Sequence, residues 1–207
     1  MSSVPTIIDT HCHIYYQEYQ VDWDAMMERA DAAGVHGMIV IGTDIPSSRQ
    51  VVALAEKHPN LYATVGIHPH DAAGVTDDDL NVLKQLAGSS PKVVAIGEIG
   101  LDFYRDRAPR DEQRRVFTAQ LELARDCNLP VVIHDRDAHE ETLALIKQAG
   151  VTRGVMHCFS GDRSFARRCI DQGLYLSIPG TITYPNNTTL HDVVRSVHLE
   201  HLLVETD

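Results

Sequence analysis

Near the start of the chain, the segment IIDTHCHI places His11 and His13 two residues apart at the end of a short apolar run. Side chains alternate faces along a strand, so the two imidazoles point to one side and Cys12 to the other. Two imidazoles on one face can grip one cation. Alone, the pair reads equally well as two solvated loop histidines, and the rest of the chain has to decide. The sequence holds 12 histidines in 207 residues, and several recur in the same setting. His68 and His70 follow one apolar run, Glu98 and Asp102 close another, and His134 with Asp135 and Arg136 a third. His157 ends a fourth, and Glu205 and Asp207 the last. Carboxylates admit Mg or Mn, while several imidazoles favour Zn or Ni. Two such ions in a hydrolytic centre stand about 3.5–4 Å apart and need a shared ligand. Glu98 is the natural bridge. The only lysine of its segment, Lys92, lies at the opposite end, which argues against a lysine-derived bridge.

The elements that must position these residues alternate regularly. Strands are predicted at 6–14, 36–43, 61–70, 92–102, 130–137, 154–161, 174–182 and 201–207, rich in Val, Ile and Leu as in a parallel sheet buried on both faces. Helices are predicted near 22–33, 46–57, 77–88, 110–127, 137–149, 163–172 and 187–196. Asp77, Asp137 and Asp162 are candidate N-caps, and Gly34, Gly88, Gly150 and Gly173 stand just past helix ends. The alternation predicts a TIM-type (β/α)8 barrel spanning 1–207 as one domain, with its site at the C-terminal rim of the strands. The runner-up, an open doubly wound sheet, lacks a GxGxxG turn after the first strand. A barrel of this type runs to about 250 residues. The sequence is therefore expected to be C-terminally truncated and to lack an eighth helix covering Ile8 and the outward residues among 202–204.

Composition narrows the partners. With 18 basic and 29 acidic residues the net charge is −11, so a nucleic acid has to be held locally, by metals and a few arginines. No apolar run is long enough to span a membrane, and no basic-then-apolar leader is seen. Four scattered cysteines without a CxxC suggest reduced thiols. A cytoplasmic protein, monomeric and without a membrane partner, is the expectation.

The segments IDTHCH, GIHPHD, IGEIGLDFYR, VIHDRDAHEETL, HCFSG and LLVETD occur in an order and spacing that resembles the TatD family of metal-dependent deoxyribonucleases, from Ile8 to Asp207. The resemblance implies two divalent ions, one on His11, His13, Glu98 and Asp207, the other on Glu98, His134 and His157. It implies phosphodiester hydrolysis with 3′-5′ exonuclease-type action on DNA. The expected nucleophile is a metal-bridging hydroxide, with Asp207 orienting the water and taking its proton. His68 is expected to protonate the leaving oxygen or bind the phosphate, or else to order the loop beside Pro69. Arg105 and Arg136 are candidate phosphate contacts, or surface ion-pair residues. Tyr104 and Tyr184 are candidate stacking platforms. His70 is read as structural and His139 as solvated, and no chemistry is assigned to His191, His198 or His201. Cys12 and Cys158 are expected to face away from the metals. The same centre would also serve amide or ester hydrolysis, such as aminoacyl-tRNA deacylation, and a metal-stabilised barrel without catalysis stays open.

Overall fold

The computed structural model describes residues 6–16 and 22–207. Its strands lie in sequence order, each parallel to the next, in one eight-stranded sheet that curls into a nearly closed barrel. The strands are β1 (Ile7–Cys12), β2 (Val35–Ile41), β3 (Leu61–Val65), β4 (Val93–Asp102), β5 (Val131–Arg136), β6 (Gly154–Met156), β7 (Leu174–Ile178) and β8 (Leu202–Val204). Seven α-helices among the described residues alternate with them: α1 (Trp23–Ala32), α2 (Ile45–Lys57), α3 (Asp77–Ala87), α4 (Arg110–Asp126), α5 (His139–Gln148), α6 (Arg163–Asp171) and α7 (Thr188–Ser196). None is long and apolar enough to cross a membrane. Ile8 and Val204, on the outer faces of β1 and β8, are 54% and 52% exposed.

Several strands stop earlier than the hydrophobic runs suggest. β3 ends at Val65, and His68 accepts from the backbone N–H of His70 through Nδ1 to start a 3-10 turn over Pro69–Asp71. β7 ends before Pro179, which leads into a second turn over Gly180–Thr183. The rim residues of these segments therefore sit on loops. The helix caps also differ in part. Asp162 does cap α6, accepting from the backbone of Phe165. At α3 the cap is Thr76, in a reciprocal box with Asp79, one position before Asp77. Asp137 caps nothing: it is left-handed at φ 55, and Ala138 precedes α5.

Helix α4 shows how the scaffold grips the rim. Gln113 and Gln120 are seven residues apart, hence on one face, and both are fully buried. Gln120 accepts from Ile67 N–H and donates to Ile67 O, which holds the loop of His68. Gln113 makes the same two-way contact with the backbone of Asp102 at the end of β4.

The seam between β8 and β1 is closed chiefly by side chains. Thr206 donates its hydroxyl to Asp9 Oδ2 at 2.6 Å and its N–H to Asp9 Oδ1 at 3.1 Å. Thr10 donates to Val204 O at 3.0 Å, and Asp207 N–H donates to His11 O at 2.9 Å. Thr206→Val keeps the side-chain shape and deletes the hydroxyl bond to the carboxylate. It is expected to lower stability by about 1–2 kcal/mol, read as a lower urea midpoint at unchanged slope. An unchanged midpoint would show that the seam does not rely on this bond.

Candidate metal centre

Glu98 lies in the middle of β4 and is 4% exposed. The strands around it come unusually close. A Cβ on Gly97 would lie 2.6 Å from that of Val132, and Gly100, at φ +150, would put one 1.9 Å from the carbonyl oxygen of His134. Only glycine permits this approach, and it brings β4 against β5 where Glu98 meets His134.

The two oxygens of Glu98 face different histidines. Oε2 lies 3.5 Å from His11 Nε2 and 4.0 Å from His13 Nε2. Oε1 lies 2.9 Å from His134 Nδ1, 2.9 Å from His157 Nε2 and 3.4 Å from His68 Nε2. Asp207 Oδ1 completes the first group, 3.6 Å from both His11 and His13 Nε2. The latter two nitrogens are 3.2 Å apart. Ligand atoms about 2.0–2.1 Å from a tetrahedral ion stand roughly 3.3–3.4 Å from one another, so this spacing fits a divalent cation. Among the described residues, three overlapping triads have ligand atoms converging closely enough to hold one: His11, His157 and Asp207; His11, His13 and Glu98; His68, Glu98 and His134.

A layer of carboxylates stands behind these histidines. Asp102, almost fully buried, faces His134 Nε2 at 3.1 Å and His70 Nε2 at 2.8 Å through Oδ2. Its Oδ1 accepts from the backbones of Tyr104 and Arg105. A proton on Nε2 leaves His134 Nδ1 free to ligate, the usual service of an outer carboxylate. Glu205 Oε1 faces His157 Nδ1 at 3.6 Å while accepting from Cys158 N–H. His68 differs. Its Nδ1 accepts from His70 N–H, so in the neutral ring the proton sits on Nε2, which then donates into the site instead of ligating.

The charges are strongly coupled. Burial works against charge on Glu98, yet the charge on His157 and bonds from His11, His134 and His157 hold its carboxyl well below the ordinary range. Burial pulls His157 down, but Glu98 and Glu205 push it up to about 10. Burial, with His157 beside it, pushes His11 below the ordinary imidazole value, and burial does the same to His68. A bond from His13 brings Asp207 down to about 2 against the effect of burial.

A family model described as TatD related DNase matches residues 8–207. The chain belongs to the TatD family. YabD of Bacillus subtilis (strain 168), named a metal-dependent hydrolase, is 39% identical over 203 residues, spanning 97% of this chain and 79% of the relative. A Klebsiella pneumoniae (strain 342) protein named 3′-5′ ssDNA/RNA exonuclease TatD is 38% identical over 97% of this chain and 77% of its own length. The crystal structure of YjjV, a TatD homologue from Escherichia coli K12, superposes with a TM-score of 0.92 at 38% identity, over 97% of this chain and 78% of that one. The chain is thus a metal-dependent hydrolase.

In this TatD-family chain the donors open into a cavity of about 800 Å³. Its lining includes His13, His68, Glu98, His134, His157 and Asp207, together with Arg136. Arg136 stacks over Tyr104 with its Cζ 4.3 Å from the ring centroid. Tyr104, 58% exposed, and Arg105 lie at the rim outside that lining, their backbone N–H groups pinned by Asp102. Tyr184 is exposed. Cys12 packs in the core, whereas Cys158 is left-handed at φ 45 and lines the cavity. Strand alternation does not extend to Cys158, because β6 has already ended at Met156. His139 is not merely solvated: Asp135 holds it, and its ring lines the cavity. Sequence reasoning missed it, along with Arg107, two positions beyond Arg105 in DFYRDR, and the supporting roles of Asp102 and Glu205.

Two outcomes follow from this layer. Because the folded pKa of His157 lies above its ordinary 6.5, the stability it contributes to metal-free protein is complete below pH 6.5 and lost as pH rises through about 10. Chelated protein should therefore melt at progressively lower temperature across that window, and metal-loaded protein much less so. A flat profile for the chelated form would contradict the assignment. Asp102→Ala should weaken the ion held by His134 by about 10–100-fold and leave the other nearly unchanged, as measured by competitive chelator titration. Equal weakening of both ions would count against it.

Proposed function

We propose that this chain hydrolyses phosphodiester bonds of single-stranded DNA, releasing nucleotides from the 3′ end, with two divalent cations that share Glu98. The observation that carries this reading is the division of the Glu98 carboxylate, one oxygen toward His11 and His13 and the other toward His134 and His157. His11, His13, His134, His157 and Glu98 would hold divalent cations, which would supply Lewis acidity toward the phosphate and the attacking water. Asp207, ionised throughout the physiological range, orients the attacking water and accepts its proton. His68, kept neutral by burial, donates from Nε2 to a phosphate or leaving oxygen. Arg136 in the cavity and Arg105 at the rim offer planar donors to phosphate oxygens, and Tyr104 offers a face for a base. The name of the Klebsiella pneumoniae relative supports a single strand as substrate.

The test is a panel of a single-stranded oligonucleotide, bis(p-nitrophenyl) phosphate and a p-nitrophenyl ester, each with Mg²⁺, Mn²⁺ and Zn²⁺. Both phosphodiesters should be cleaved, the oligonucleotide from its 3′ end. Glu98→Ala should abolish turnover while still melting cooperatively, because both cations lose their common ligand. Cleavage of the ester alone, or retention of most activity by Glu98→Ala, would overturn the reading.

A further inference from the structure

Part of the cavity wall carries basic side chains that the metal centre does not use. His139 is the first residue of α5. Its Nδ1 meets Asp135 Oδ2 at 2.8 Å, and its ring stacks on Phe165 with centroids 4.4 Å apart and planes 16° apart. The Asp135 side chain is only 4% exposed, so this carboxylate is committed to the imidazole and fixes its orientation. The other ring nitrogen, Nε2, has no protein partner among the described residues, and the ring borders the cavity. The bond to Asp135, opposed by burial and reinforced by the charges of Asp135, Asp137 and Asp162, raises the pKa of His139. The imidazolium form presents a donor at Nε2.

Arg107 and Arg136 border the same cavity. Arg110, Arg114, Arg115 and Arg168 are each paired with a carboxylate. Arg107 and Arg136 have no such partner among the described residues. Asp71, Glu98, Asp135, Asp137 and Asp207 also line the cavity, and among the described residues none of them pairs with either arginine, so both guanidinium groups keep their donors free. In a chain of net charge −11, two guanidinium groups without carboxylate partners and an imidazole oriented by Asp135 border one cavity and together offer donors to an anion.

We propose that Arg107, Arg136 and His139 form a second phosphate subsite, which holds the phosphate next to the one under attack. The inference rests on the phosphodiesterase reading and extends it. The preferred ligand is a nucleotide or chain carrying two phosphates, one for the metals and one for this wall.

The test is calorimetric titration of metal-loaded protein with thymidine 3′,5′-bisphosphate and with thymidine 5′-monophosphate, which needs no turnover. The bisphosphate should bind about tenfold more tightly, as one or more charge-assisted bonds allow. His139→Ala and Arg107→Ala should each bring the ratio of the two affinities toward one. Arg107 is exposed, so its variant reads the subsite without disturbing the core. Equal affinities in the parent protein, or variants that weaken both nucleotides by the same factor, would overturn the proposal. Turnover of bis(p-nitrophenyl) phosphate without a bisphosphate preference would overturn the subsite alone. The preference without turnover would support the subsite and overturn the phosphodiesterase reading.

Discussion

A carboxylate removed from water, Glu98, sets the terms for the rest of the molecule. An ionised group so buried is costly unless opposite charge or hydrogen-bond donors surround it. No single element can surround it, because residues adjacent in sequence point to opposite faces of a strand. The donors come instead from the ends of β1, β3, β5 and β6, and the barrel is the arrangement that brings those ends to one point. The close approach at Gly97 and Gly100 follows from the same need: with side chains there, β4 and β5 would stand too far apart for Glu98 to meet His134.

Around that centre the supporting polar groups form a continuous chain of constraint. Asp102 orients His134 and His70 and, through its other oxygen, pins the backbone of Tyr104 and Arg105. Its own backbone is held by Gln113 of α4, and Gln120 of the same helix holds the loop of His68. A shift of α4 would therefore move His134, His68 and the rim together. His134, His70 and the loop of His68 are thus tied to one helix, an arrangement that favours directing binding energy into orientation rather than into ordering loops.

The barrel was legible in the sequence because its strands are short apolar runs and its helices have clear ends. The residues that converge on Glu98 were legible because each is polar and stands in or just past such a run. What escaped depends on contacts across the sequence. The runs through 61–70 and 174–182 read as long strands because local hydrophobicity does not report where Pro69 and Pro179 turn the chain. Cys158 was placed by an alternation that had already stopped two residues earlier. His139 and Arg107 have the residue types of any solvated surface. Only Asp135 behind the ring and Phe165, contributed by α6, distinguish His139. Gln113 and Gln120 did carry a signal, a pair of amides seven apart on an otherwise apolar helix face. Their partners, Asp102 and Ile67, could not be read from it.

The closure of the barrel through Asp9 and Thr206, 197 positions apart, has a consequence for biosynthesis. His11 and Asp207 bracket this seam and belong to the same group of donors. Asp207, just past β8, is synthesised long after His11, so a segment that stops short of β8 offers the β1 imidazoles without that carboxylate. Closing so long a loop also carries an entropic cost that the docked strand has to offset. The group of donors that includes Asp207 is thereby assembled only when β8 has docked beside β1.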